Sequence, residues 1–188
     1  DVAIERGKSS FGTLLDIVIA DELKTILWPT PQDDDAESWR MRAELWQDGR
    51  AMIGGSDAGA HLDRMCGAPY PTRWLADCIR GRKLVPVEFA VKMMTSQPAK
   101  LFGLVDRGEL REGACADVVV FNPDEIGSED AMLVTDLPGN SSRLTAGSFG
   151  VKRVLVNGVT IVENGVANGA VPGTVLKSGK DTYTVLAR

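Results

Sequence analysis

Apolar residues recur at helical spacing through the first half of the chain and gather into short runs in the second. Leu14, Leu15, Val18, Ile19 and Leu23 share one helical face and predict a helix over 9–27, with Ser9 or Ser10 as its cap. Trp28-Pro29-Thr30-Pro31 ends it, because proline pushes the preceding residue out of the helical region. Trp39, Ala43 and Trp46 predict a helix over 38–46, and Trp74, Leu75 and Ile79 another beginning at 74. Val87, Ala90, Val91 and Met94 give a further amphipathic helix, with Pro86 at its first position and Glu88 in its first turn. Met93 and Met94 are read as core filler. Pro98 starts a short helix that Gly103 ends.

Beyond that point the period changes. Val118 to Phe121 has the β-branched content of a buried strand. Two apolar runs over 151–162 flank Asn157-Gly158, the strongest short-range signal for a type I′ hairpin. Glu163-Asn164-Gly165 supplies the next turn. The polar stretch from Gly127 to Gly150, with Asp136-Leu137-Pro138-Gly139 and Arg143-Leu144-Thr145, is too long for a simple connector and is read as a surface loop or lid. The pattern therefore predicts a helical first half and a β-rich second half.

At 188 residues the chain can bury a core as one domain or two small ones. A net charge of −5 with no basic stripe argues against nucleic-acid and anionic-membrane partners. No apolar run approaches the ~20 residues that span a bilayer, and no signal-peptide pattern is read at Asp1. Cys66, Cys78 and Cys115 are odd in number and lack a C-x-x-C pair, so they are read as reduced thiols of a cytoplasmic protein. The acidic run Asp33-Asp34-Asp35 can bind metal, but without a spaced ligand pattern it reads as a solvated loop. A single histidine is too few for the usual cage of a metal hydrolase.

The richest stretch chemically is Met52-Ile53-Gly54-Gly55-Ser56-Asp57-Ala58-Gly59-Ala60-His61. An apolar approach runs into small residues that let the backbone come close to whatever sits beside Asp57. Spacing alone leaves two readings open. Asp57 caps the following helix in a Gly-rich turn, or it is a carboxylate presented at the end of a buried strand, where barrel enzymes keep their chemistry. Tyr70, in the loop predicted over 62–72, is a substrate contact or a packing residue.

Ile53 to His61 resembles the strand-8 segment of the amidohydrolase superfamily, in the branch of N-acyl-D-amino-acid deacylases (D-aminoacylases). The resemblance continues through Thr95-Ser96-Gln97-Pro98-Ala99-Lys100-Leu101-Phe102-Gly103-Leu104, similar to the T-x-x-P-A-x-x-x-G-L corner of that superfamily. Arg107-Gly108-Glu109-Leu110, Ala116-Asp117-Val118-Val119-Val120-Phe121 and the tail from Pro172-Gly173 to Asp181 also resemble that branch. The resemblance implies an α/β plus β fold. Residues 1–104 would be the C-terminal part of a (β/α)8 TIM barrel, through strand 8 at 51–57. Residues 105–188 would be part of a small β-sandwich. A complete barrel takes ~250 residues, more than this chain holds.

The implied activity is metal-dependent hydrolysis of the amide of N-acyl-D-amino acids, with Zn2+ as the implied metal. Asp57 would be the catalytic acid–base and a metal ligand, His61 a substrate-binding or ordinary loop histidine, and Asp117 structural. The remaining ligands of such a site are absent from this chain, so these 188 residues alone are expected to be inactive. Two other classes stand beside the enzyme: a non-catalytic structural or oligomerisation module derived from an amidohydrolase, and a binding protein that reuses such a surface. A part-barrel exposes strand edges and apolar faces, which predicts a homo-oligomer.

Overall fold

A computed structural model describes residues 1–25, 27 and 33–186. The chain divides into two compact units, Asp1–Asp34 and Asp35–Arg188. All six α-helices of the described residues precede residue 102 and all eight strands follow residue 117, as the change of period predicts.

The first unit holds α1 (Val2–Glu5) and α2 (Ser10–Ala20). Ser9 caps α2, its hydroxyl accepting the Gly12 N–H at 3.1 Å. The helix stops at Ala20, short of the predicted residue 27. Its C-terminal end carries no basic residue, and Asp21 and Glu22 follow directly, which sets negative charge against the negative end of the helix dipole. Glu22 and Leu23 turn to positive φ there. The predicted Trp28-Pro29-Thr30-Pro31 stop lies outside the described residues.

The second unit opens with α3 (Ala36–Trp46), capped by Asp35, whose carboxylate accepts the Ser38 N–H at 2.9 Å and the Ser38 hydroxyl at 2.7 Å. That gives one member of the acidic run a helix-capping role. Helix α4 (Tyr70–Leu75) begins four residues before the predicted 74, with a proline in its first turn, where a missing N–H costs nothing. It runs into a π-helical turn over Ala76–Gly81, then α5 (Val87–Met94) and α6 (Ser96–Leu101). Pro86 is the cap of α5 and not its first residue. The helix α6 closes in a Schellman arrangement: Leu104 N–H donates to Ala99 O at 2.8 Å and Gly103 N–H to Lys100 O at 3.2 Å. Gly103 sits at φ +64, and a Cβ there would lie 2.2 Å from the Tyr183 carbonyl oxygen. The closing tail thus returns to this corner, with Tyr183 N–H donating to Gly103 O and Val105 N–H to Asp181 O.

Strands β1 (Val118–Phe121), β6 (Val151–Val156), β7 (Val159–Glu163) and β8 (Val166–Ala167) form an antiparallel sheet in the order β1-β6-β7-β8. Asn157 (φ 47) and Gly158 (φ 79) make the two-residue turn between β6 and β7, the positive φ pair that a type I′ turn requires. Asp117 fastens this turn: its carboxylate accepts the Asn157 N–H at 2.9 Å and pairs with Arg107.

The stretch 127–150, read from sequence as a loop or lid, is instead ordered into strands. Strand β2 (Gly127–Ser128) pairs with β5 (Ser148–Phe149), and β3 (Met132–Leu137) forms a hairpin with β4 (Ser141–Thr145). The hairpin is held by cross-strand polar pairs. Arg143 donates to both oxygens of Asp136 at 2.8 and 2.7 Å, and the Thr135 and Ser142 hydroxyls lie 2.8 Å apart.

The strand expected over 51–57 is not formed; these residues are irregular. No strand among the described residues pairs with them, and an extended segment without a ladder partner has nothing to hold it as a strand. The core joins helices and strands. Leu75, Cys78, Val85, Ala90 and Ile126 cluster together, with Phe121 and Val151 packed against them. Met93 is completely buried.

Candidate functional site

The segment before Asp57 is held from α6. The Gln97 side-chain amide donates to the Ala51 carbonyl, and the Ala51 N–H donates to Asp48 O at 2.9 Å. In the sequence Gln97 is legible only as part of the Thr95–Leu104 corner, whereas this contact spans 46 residues. No local pattern marks it.

Asp57 sits at φ 53 and is exposed. Aspartate is one of the few residues that reach this left-handed region at low cost, because its short side chain tolerates it. The Ala58 N–H donates to Ser56 Oγ at 3.3 Å, and the Ala60 N–H to Asp57 O at 2.9 Å, so a tight turn is built around the residue. Among the described residues no hydrogen bond reaches the Asp57 carboxylate, and turns, not an α-helix, follow it. The helix-cap reading of Asp57 therefore finds no donor to cap.

His61 is exposed at φ 46. Its carbonyl accepts the N–H groups of Arg64 and Met65, both at 2.9 Å, making a single helical turn. The nearby Asp63 carboxyl is held below its usual range, first by hydrogen bonding to Arg64 and to a smaller degree by His61. Among the described residues' hydrogen bonds, none joins His61 to Asp57. The structure thus places both predicted residues on one turn-rich loop without linking their side chains. The loop continues to Leu62, whose carbonyl accepts the Leu144 N–H at 2.7 Å, fastening it to β4. Tyr70, predicted to lie in this loop, begins α4 instead.

Grooves lie elsewhere among the described residues of the unit. One of about 410 Å³ is lined by Ala51, Met52, Lys92, Gln97 and Lys100. A larger apolar one of about 600 Å³ is lined by Tyr70, Leu75, Val91, Met94, Val119 and Phe121. Neither is lined by Asp57 or His61. The thiols divide by burial: Cys66 and Cys115 are half-buried, and burial pushes the Cys78 thiol up to about 12. All three are free.

For a metal the residues present are insufficient. Asp57 is one carboxylate, whereas zinc sites take three or four protein ligands. Among the described residues no group of three or more His, Cys, Asp or Glu comes together in a way that could hold a metal ion.

Known proteins resemble this arrangement along most of its length. D-aminoacylase of Alcaligenes xylosoxydans xylosoxydans is 30% identical over 182 residues, covering 94% of this chain and 33% of the relative. N-acyl-D-glutamate deacylase of the same organism is 36% identical over 115 residues, 58% of this chain and 22% of the relative. A solved D-aminoacylase, studied for the functional role of its binuclear metal centre, matches with a TM-score of 0.53 at 30% identity, covering 90% of this chain and 32% of that one. The chain spans between about a fifth and a third of the length of these proteins. The model of the amidohydrolase family matches residues 27–162, from before the Asp57 loop through the Thr95–Leu104 corner to the Asn157-Gly158 hairpin. On that match, which takes in the greater part of its length, the chain belongs to the amidohydrolase family.

Proposed function

We propose that these 188 residues are the C-terminal portion of a metal-dependent amidohydrolase that cleaves the amide bond of N-acyl-D-amino acids. The observation that carries this reading is the Asp57 carboxylate: exposed, without a hydrogen-bond donor among the described residues, and presented on a glycine loop inside the matched region. In this reading residues 1–104 belong to a TIM barrel whose last strand runs over 51–57, and residues 105–188 to a small β-sandwich beside it. The unformed strand is supplied with ladder partners by the part of the relatives' length that this sequence does not span.

Asp57 takes a proton from the attacking water and delivers it to the leaving amine, the task of a positioned general acid–base. A carboxylate that nothing else occupies is free to do both. Asp57 is also a candidate ligand of the metal, zinc by the resemblance, whose other ligands lie outside this chain. His61, exposed on the same loop, is the candidate for a contact with substrate. Three free thiols support a reducing, cytoplasmic setting. The exposed apolar residues of β1 and α2, among them Val119 and Ile19, support self-association of the isolated chain.

The test is direct. The full-length protein, purified with and without a chelator, is assayed for release of free amino acid from N-acetyl-D-glutamate, N-acetyl-D-aspartate and a neutral N-acetyl-D-amino acid. Metal-dependent release from at least one supports the reading; no release with metal bound contradicts it. The exposed apolar residues also suit a second reading, a non-catalytic structural or oligomerisation module. That reading predicts a full-length protein without bound metal and without turnover.

A further inference from the structure

We propose that Gly67 and Ser56 are positioning residues for Asp57, clamping the two peptides that flank it; this rests on Asp57 being the acid–base group. After the turn at His61 the chain comes back across the loop it has just left. At Gly67 the crossing is so close that a Cβ would lie 2.0 Å from the Ser56 carbonyl oxygen, 3.0 Å from the Ser56 carbonyl carbon and 3.3 Å from the Ala58 nitrogen. These atoms belong to the residues on either side of Asp57. They are all backbone, so no side-chain rotation relieves the overlap.

Gly67 does not have a positive φ, unlike Gly59 in the same loop. Its glycine is required by the neighbour and not by its own conformation. From the other side, the Ser56 hydroxyl accepts the Ala58 N–H at 3.3 Å and closes the turn over Asp57. The carboxylate itself is left untouched. Its aim is set through the Ser56 and Ala58 peptides, by a contact that tolerates no added carbon and by the Ser56 hydroxyl, alongside the Ala60 N–H bond to the Asp57 carbonyl.

The other glycines of the loop add no such constraint. Gly54, Gly55 and Gly59 have open space where a Cβ would be, so they contribute freedom and not fixation. Gly67 is the member of this neighbourhood whose substitution presses directly on the backbone either side of Asp57.

The experiment compares Gly67→Ala, Ser56→Ala, Ser56→Thr and Asp57→Asn in the full-length protein on an N-acyl-D-amino acid. Gly67→Ala is expected to lower kcat by about a hundredfold, the cost of misplacing a reacting group by about an ångström, with KM of the folded protein within about threefold of wild type. Ser56→Ala should lower kcat by up to about tenfold, the worth of one net hydrogen bond, and Ser56→Thr, which keeps the hydroxyl, should restore it. Folded Gly67→Ala with wild-type kcat overturns the proposal. So does a loss carried by KM alone. If Gly67→Ala cannot be purified folded, Ser56→Ala decides: wild-type turnover there, or a loss that threonine does not repair, overturns it. The Asp57→Asn variant separates this failure from failure of the functional reading. Activity retained in Asp57→Asn removes the acid–base role itself, whereas an inactive Asp57→Asn beside a fully active Gly67→Ala removes only the clamp.

Discussion

Ile126 belongs to the β-rich half by sequence, yet it is 1% exposed and clusters with Leu75, Cys78, Val85 and Ala90 of the helical half. The Arg80 guanidinium reinforces the link, donating to the Ile126 carbonyl at 2.8 Å and to the Pro123 carbonyl at 3.1 Å. Ile126→Ala removes three carbons from a site closed to water. At about 0.8 kcal/mol per buried methylene the lost transfer energy is about 2.4 kcal/mol. The cavity left behind adds to that, bringing the expected destabilisation to about 3–4 kcal/mol. For a chain of this size that is a fall in melting temperature of about 6–16 °C. The assay is thermal and urea unfolding followed separately by tryptophan fluorescence and by far-ultraviolet circular dichroism. Trp46 and Trp74, edge-to-face at 5.9 Å between ring centroids, report the helical side. If the core is continuous, both signals shift together. A loss under about 1 kcal/mol, or a shift in the circular-dichroism signal while the tryptophans unfold as in wild type, refutes the shared core.

Two further outcomes follow from charge and burial. The carboxyls of Glu109, Glu125 and Asp136 are held below their usual range, in each case chiefly by a hydrogen bond from Lys100, Lys152 or Arg143, and that of Asp35 by the Ser38 N–H. Because folding depresses these values, their stabilisation is present above the ordinary carboxylate range, about pH 4, and is lost as pH falls through the lowered values. Unfolding midpoints should hold from about pH 7 to 5 and fall below about pH 4, and a midpoint that rises on acidification would contradict the assignment. With Cys78 buried and pushed up to about 12, a thiol reagent at about pH 8 should label Cys66 and Cys115 in the native protein and Cys78 only after unfolding; three equal rates would contradict this.

What could be read in the sequence follows from how local the determinants are. The Asn157-Gly158 turn, the Ser9 cap and the Gly103 stop are each decided within a few residues, and each stands where the sequence puts it. The β3–β4 hairpin was hidden because charge and hydroxyl pairs hold it, Asp136 with Arg143 and Thr135 with Ser142, and a search for apolar alternation does not see these. The start of α4 was hidden because Tyr70-Pro71 looks like a loop, though proline suits a first helical turn. The extent of α2 was overestimated because apolar spacing continues to Leu23 after Asp21 and Glu22 have ended the helix. At the site the glycines around Asp57 were legible as freedom. The constraints were not, because Gln97 on Ala51 and Gly67 on Ser56 are contacts between segments.

The proposed acid–base role of Asp57 is tested most directly by kcat of Asp57→Asn in the full-length protein on an N-acyl-D-amino acid, with metal content and melting temperature followed alongside. Asparagine keeps the size and the tolerance of positive φ, so the loop is retained. It removes the proton acceptor. Loss of a positioned general acid–base group lowers the rate by ~10²–10⁴, which is about 3–5 kcal/mol of barrier. A fall of that size with a nearly unchanged melting temperature is expected. Turnover within about threefold of wild type would contradict it, because a residue that only shapes the turn is served as well by asparagine as by aspartate.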